Sequence, residues 1–162
     1  MTLAFSKQLN GKPTYFVEKI LKAVNEILPD SDFEHDRNQN ILSWDALKYS
    51  REKWHTIRTD KKNRWKAGMD IHFVINNRTK NRYQFAPIIK CVSTQKIIIR
   101  YWYCKNTKLF VLPMVLIDNK ILTEKQIETL AINDGFDNAT EFFKYFNKNF
   151  EGKIIHWTNN KY

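Results

Sequence analysis

Only two of the 162 residues are cysteine, four are glycine and four are proline. The two thiols, Cys91 and Cys104, are too few for a disulfide framework, and each sits in a β-rich apolar run where a buried free thiol is the ordinary outcome. Both are expected to be reduced. So little glycine and proline excludes collagen-like and low-complexity chains. Long apolar runs are missing as well: the longest, Leu109 to Ile117, is far too short to cross a bilayer. The opening MTLAFSKQLN lacks the charged-then-apolar pattern of a leader. The expectation is a cytoplasmic protein without membrane contact. Acidic residues are also in deficit, with 17 Asp plus Glu against 27 Lys plus Arg and a formal charge of +10. A polyanion is therefore the first partner to consider, although a solvated basic surface gives the same excess.

What is present is the composition of a packed globule, 43% hydrophobic and 27% charged, and residues 1–162 are expected to form a single domain able to bury its own core. Leu3 to Phe5 reads as an edge strand. Pro13 to Ile27 reads as an amphipathic helix with Phe16, Val17, Ile20, Leu21, Val24 and Ile27 on one stripe, stopped by Pro29. Residues 28–52 are polar and turn-rich up to Asn40, then offer a short helix with Ser43 as N-cap, so this stretch reads as an insertion or lid. His35, beside Asp36 and Arg37, lies within it, either in a loop that closes over a ligand or in an ordinary surface loop.

From Thr56 onward the period changes. TIR, MDIHFVI, APIIKCVS, QKIIIRYWYC and LFVLPMVLI are β-branched and aromatic runs separated by polar turns, as expected of a barrel or a strongly bent sheet. Asp118-Asn119-Lys120 suits a hairpin turn. Thr123 with Gln126 and Asn138 with Glu141 have capping-box spacing, so helices start near Glu124 and Ala139, and Gly135 suits the left-handed cap that ends the first. Lys153 to Trp157 reads as a final strand. Phe142, Phe143, Phe146 and Phe150 have the spacing of a core-facing stripe. The class is α+β.

The stretch from Tyr49 to Phe73 carries the most chemistry. Arg51, Lys53, Arg58, Lys61, Lys62, Arg64 and Lys66 surround Trp54, His55 and Trp65. Interleaved cations and flat rings suit single-stranded nucleic acid, phosphates meeting the cations while bases stack on the indoles. The alternative is a solvated turn whose tryptophans, Trp65 above all, face the core. Four histidines, His35, His55, His72 and His156, include no helical His-x-x-x-His pair and join no Cys cluster, so neither a metal nor another cofactor is expected.

The order of these motifs resembles the ASCH family of the PUA-like superfamily. Lys53-Trp54-His55-Thr56-Ile57-Arg58, then Arg64-Trp65-Lys66-Ala67-Gly68 and the strand from Asp70, look like its signature of Lys, two residues, Thr-Ile-Arg and Lys-x-Gly. Asp134-Gly135-Phe136, Glu141-Phe142-Phe143 and Gly152 to Trp157 are similar to the family's acidic-Gly-Phe turn, following helix and closing strand. The likeness is loose over 1–27 and good over 53–162, while 28–52 has no counterpart. It implies a mixed β-barrel with flanking helices and a basic cleft for RNA or a modified nucleotide. Some small bacterial ASCH proteins are similar in a Lys-x-x-Thr pair and a Glu that hydrolyse the acetyl amide of N4-acetylcytidine. Lys53 and Thr56 match the pair, and Asp134, a shorter carboxylate, stands at the third position.

In chemical terms, Thr56 could attack or position a water, a desolvated Lys53 could act as base, and Asp134 could orient it or pass protons to the leaving amine. An Asp134 that keeps Lys53 charged would oppose that role. Strand alternation puts Thr56 and Arg58 on one face, so Arg58 either grips phosphate or an oxyanion or forms a structural ion pair with Asp134. Arg64, Trp65, Lys66, Trp54 and His55 complete the expected ligand-binding set. The readings left open are a binding module for RNA or a nucleotide, an amidohydrolase, a single-strand ribonuclease, and a protein whose charge serves only solubility.

Overall fold

The computed structural model describes residues 1–9, 11–29, 43–104, 109–110 and 113–162. The His35 loop and the side chain of Cys104 lie outside the described residues, as does part of the Leu109–Ile117 run.

The chain opens with β1 (Thr2–Ala4), a small hairpin of β2 (Gln8–Leu9) and β3 (Lys12–Pro13), and helix α1 (Phe16–Ile27). The helix starts three residues later than its proline suggests, because Pro13 belongs to the hairpin. Tyr15 then turns the chain through a left-handed conformation at φ 53°. Val17, Ile20, Leu21 and Val24 are buried as the stripe predicts, whereas Ile27 emerges at the end of the helix. Helix α2 (Trp44–Tyr49) is capped by Ser43, whose hydroxyl accepts from the Ala46 amide. It is tied to α1 where the Glu18 carboxylate accepts from the Ser43 amide at 2.8 Å.

The strands that follow are β4 (His55–Arg58), β5 (Asp70–Ile75), β6 (Tyr83–Gln84), β7 (Ile89–Lys90), β8 (Ser93–Arg100), β9 (Tyr103–Cys104), β10 (Leu109–Phe110), β11 (Met114–Ile117) and β12 (Lys120–Ile121). Helices α3 (Glu124–Asn133) and α4 (Ala139–Tyr145) precede the last strand, β13 (Phe150–His156). A five-stranded antiparallel sheet has the order β12-β11-β8-β13-β4, and a second sheet joins β1 in parallel to β5, with β6 and β7 also on β5. None of these sheets closes into a barrel, so among the described residues the β-barrel expectation gives way to open sheets. The α+β class holds.

Local chemistry explains the turns. Asp118 and Asn119 both take positive φ, 48° and 69°, the requirement of a tight two-residue hairpin whose twist matches its strands. Thr123 and Gln126 form a reciprocal capping box at the start of α3. That helix ends in a Schellman arrangement: the Gly135 amide donates to the Ile132 carbonyl and the Phe136 amide to the Ala131 carbonyl, with Gly135 at φ 91°. Asn138 caps α4 by accepting from the Glu141 amide.

The five-stranded sheet separates two apolar clusters. Ile57, Ile97, Ile99, Val115 and Ile154 face α3 and α4, where they meet Leu130, Phe142 and Phe146. Ile155 and Trp157 point the other way, to Leu3, Phe73 and Phe85 and to the buried stripe of α1. Phe142 and Phe146 are buried and Phe143 and Phe150 half-buried, as their spacing requires. Cys91 is a buried free thiol. Among the described residues no helix is long and apolar enough to cross a membrane.

Candidate functional site

The site is assembled at the C-terminal end of α3, where unpaired helix carbonyls concentrate partial negative charge. Two lysines answer it. Lys19, on α1, donates to the Gly135 carbonyl at 2.7 Å, and Lys53 donates to the Asp134 carbonyl and to Asp134 Oδ1, the latter at 2.6 Å. The segment that carries Lys53 is pinned from both sides, its own amide bonded to the Lys19 carbonyl and that of Trp54 to the Asn133 carbonyl. Strand β4 follows directly, and as an edge strand it has a spare amide, Ile57 N–H, which donates to Asp134 Oδ1 at 3.2 Å.

Lys53, Thr56, Arg58 and Asp134 all line one cavity of about 130 Å³, roofed by the rings of Phe16, Phe136 and Tyr145. Thr56 and Arg58 share a face of β4, as alternation demands, and Ile57 packs toward the helices. Lys53 is 1% exposed and Asp134 4%. Burial pulls the Lys53 ammonium down to about 8, more strongly than the Asp134 carboxylate holds it up, and the nearby charges of Arg58 and Lys19 add to the fall. Burial alone would raise the Asp134 carboxyl, but the Lys53 charge and the hydrogen bonds it accepts keep it below its ordinary value.

Arg58 makes no ion pair with Asp134; the carboxylate's partner is Lys53. The Arg58 guanidinium donates instead to the Ala4 carbonyl at 2.7 Å and lies over the Phe5 ring, 4.9 Å from its centroid. Its Nε–H is buried without a partner among the described residues, and burial lowers its pKa against the opposing pull of Asp134.

The other expected ligand-binding residues lie elsewhere. Trp65 is 5% exposed and part of the core with Phe73 and Trp157. Its indole is covered by protein, so base stacking is replaced by packing. Asp60 folds the turn back by accepting from the Arg64 and Trp65 amides, which leaves Arg64 and Lys66 exposed and away from the walls of the cavity. Trp54 is half-buried and also outside those walls.

His55 lies behind the cavity, fully buried. Its Nε2 pairs with the Tyr162 hydroxyl at 2.8 Å, and the same hydroxyl accepts from Asn133 at 2.8 Å. Its Nδ1 stands 3.6 Å from Asp134 Oδ1, just beyond hydrogen bonding. Desolvation keeps His55 below its ordinary value. Among the described residues no group of His, Cys, Asp and Glu has the arrangement of a metal site.

Sequence reasoning missed Phe16, Phe136 and Tyr145 as walls, and Lys19 as a second cation at the helix end. The one available signal was Lys19 itself, a lysine at the edge of the apolar stripe, three residues after Phe16 and next to Ile20. The chain matches no family model, no curated protein and no solved structure.

Proposed function

We propose that this chain is an ASCH domain of the PUA-like superfamily whose cleft binds RNA or a modified nucleotide. The observation that carries the reading is convergence: Lys53, Thr56 and Asp134, separated by up to 81 positions, line one small cavity with Arg58. Its volume of about 130 Å³ falls below the ~300–1,000 Å³ of sites for drug-sized ligands, in keeping with a single heterocycle inserted from a larger molecule. Apolar rings on one side and fixed polar groups on the other are what a flat base with hydrogen-bonding edges requires. The overall charge of +10 supports a phosphate-bearing partner.

One observation favours hydrolysis of an acylated cytidine as a second reading. An ammonium at about 8 is neutral in a useful fraction of molecules near physiological pH, the condition for a general base. In that reading neutral Lys53 takes a proton from water or from Thr56 as its oxygen adds to the acetyl carbonyl. The C–N bond then breaks, the proton passes to the departing amine and cytidine leaves. Where water attacked, acetate leaves with it; where Thr56 attacked, the acetyl stays on its oxygen as an ester until a water, giving its proton to Lys53, adds to it and releases acetate.

Calorimetric binding of N4-acetylcytidine and cytidine, with chromatography of the nucleoside after incubation, tests both readings. Binding without turnover supports the module. Turnover that rises as pH increases through about 8, and that is lost in Lys53→Met and Thr56→Val proteins with unchanged circular dichroism, supports the hydrolase. If neither nucleoside binds and a salt series finds no RNA binding, both readings fail.

A further inference from the structure

A second cavity of about 330 Å³ shares Ile57, Arg58 and Tyr145 with the small one and is bounded also by Thr59, Lys148 and Asn149. Taking the first cavity as the base pocket, on which this step rests, we infer that the second is a phosphate subsite in which Arg58 and Lys148 grip the phosphate of a nucleotide ligand.

Charge accounting is the first argument. The inner cavity holds two cations, Lys53 and Arg58, and one carboxylate, Asp134, which Lys53 already engages. Arg58 is mostly buried, yet among the described residues it has no carboxylate partner and its Nε–H has no acceptor. A desolvated guanidinium without a counter-ion is costly, and an oxyanion that accepts from its free edge relieves that cost. The planar fork of an arginine matches two oxygens of a phosphate. Lys148 lines the same cavity, exposed and without an ion pair among the described residues, in the turn between α4 and β13.

A neighbouring cavity of about 320 Å³ supplies the contrast. It also borders Tyr145 and holds three lysines, two of them already answered: Lys144 pairs with Glu141 at 2.6 Å and Lys19 with Asp137 at 3.5 Å, while Lys12 has no ion pair among the described residues. Carboxylates on that wall would repel an anion. The walls around Lys148 include no acidic residue, so of the two cavities that share Tyr145 with the base pocket this is the one that accepts phosphate. Tyr145, 48% exposed and part of the lining of all three cavities, is then the side chain shared by base pocket and phosphate subsite.

The test titrates inorganic phosphate at fixed ionic strength, with chloride as control, and follows the Arg58 and Lys148 side-chain signals by NMR. Calorimetry then compares cytidine, cytidine 5′-monophosphate and a short single-stranded RNA. The expected result is saturable phosphate shifts at both residues and at least tenfold tighter binding of a phosphorylated ligand than of cytidine. Lys148→Ala, an exposed change that leaves the core alone, should abolish that advantage while leaving cytidine binding unchanged. Preference for the monophosphate identifies a free nucleotide, and preference for the RNA identifies a phosphodiester.

Absence of phosphate shifts overturns the subsite whatever the nucleosides do. Equal binding of cytidine and both phosphorylated ligands overturns it while leaving the base pocket standing. Phosphate shifts without any nucleoside binding keep the subsite and reject the base pocket.

Discussion

Acid should unfold this protein through His156. Its ring is completely buried, neither nitrogen has a hydrogen-bond partner among the described residues, and its cross-strand neighbour is His55, with ring centroids 5.3 Å apart. Burial first, then the charges of His55 and Lys161, hold His156 at about 3 against an ordinary 6.5. Between those values the unfolded chain binds a proton that the folded one refuses, so stability is present above about 6.5 and is lost as pH falls toward 3. Linkage makes the loss about 2 kcal/mol between about pH 8 and pH 5 from this residue alone. His55, also lowered by burial, acts in the same direction.

The assay is urea unfolding followed by tryptophan fluorescence at the two pH values, for wild type and His156→Phe. The aromatic replacement removes both unpartnered nitrogens but keeps a ring in the strand pair. The difference in stability between the two pH values should shrink by about 2 kcal/mol in the variant. Carboxylate titrations elsewhere cancel in this double difference. An unchanged pH dependence would refute the assignment of acid sensitivity to this ring.

Asp134→Asn should leave the buried Lys53 charge without its counter-ion, costing about 3–5 kcal/mol in urea unfolding. It should also move the Lys53 ammonium further below about 8, visible by NMR titration of Nζ. Gly152→Ala should cost about 3 kcal/mol, because a Cβ there would lie 2.4 Å from the Arg58 carbonyl oxygen. The contact is backbone in β4, so the variant should also weaken nucleoside binding, as calorimetry can read.

The parts of the fold that were legible in the sequence are those decided locally. Asp118-Asn119 tolerates positive φ, Thr123 and Gln126 can satisfy each other's amides, and Gly135 ends a helix; none of these needs knowledge of the rest of the chain. The site residues were legible only as an ordered pattern, since nothing local says that a lysine before β4 meets an aspartate after α3. What stayed hidden depends on register and on layers. His55 and His156 become neighbours only because β4 pairs with β13 in one particular register. Trp65 has the sequence surroundings of a stacking platform, and only the layer beneath it, with Phe73 and Trp157, makes it core. The barrel was expected from strand composition, which fixes strand type but not closure, and closure depends on edges that here stay open.

The position of Lys53 links that architecture to its chemistry. An α-helix C-terminus attracts cations, and here two of them, Lys19 and Lys53, are drawn to adjacent carbonyls, so the Lys19 charge raises the cost of charging Lys53. Between about 8 and the ordinary 10.5 the unfolded chain binds the proton that folded Lys53 has given up, so this residue's contribution to stability grows as pH rises through that window. The fold therefore opposes the charge that Asp134 favours, and the balance leaves an ammonium at neutral pH that releases its proton one step higher. Of its three donors, one faces Asp134 Oδ1 and one the Asp134 carbonyl. The third has no acceptor among the described residues, and Nζ stands 4.9 Å from the centroid of the Phe16 ring; in the proposed function it would donate to a base or acyl oxygen below about pH 8 and give way to a proton-accepting lone pair above it.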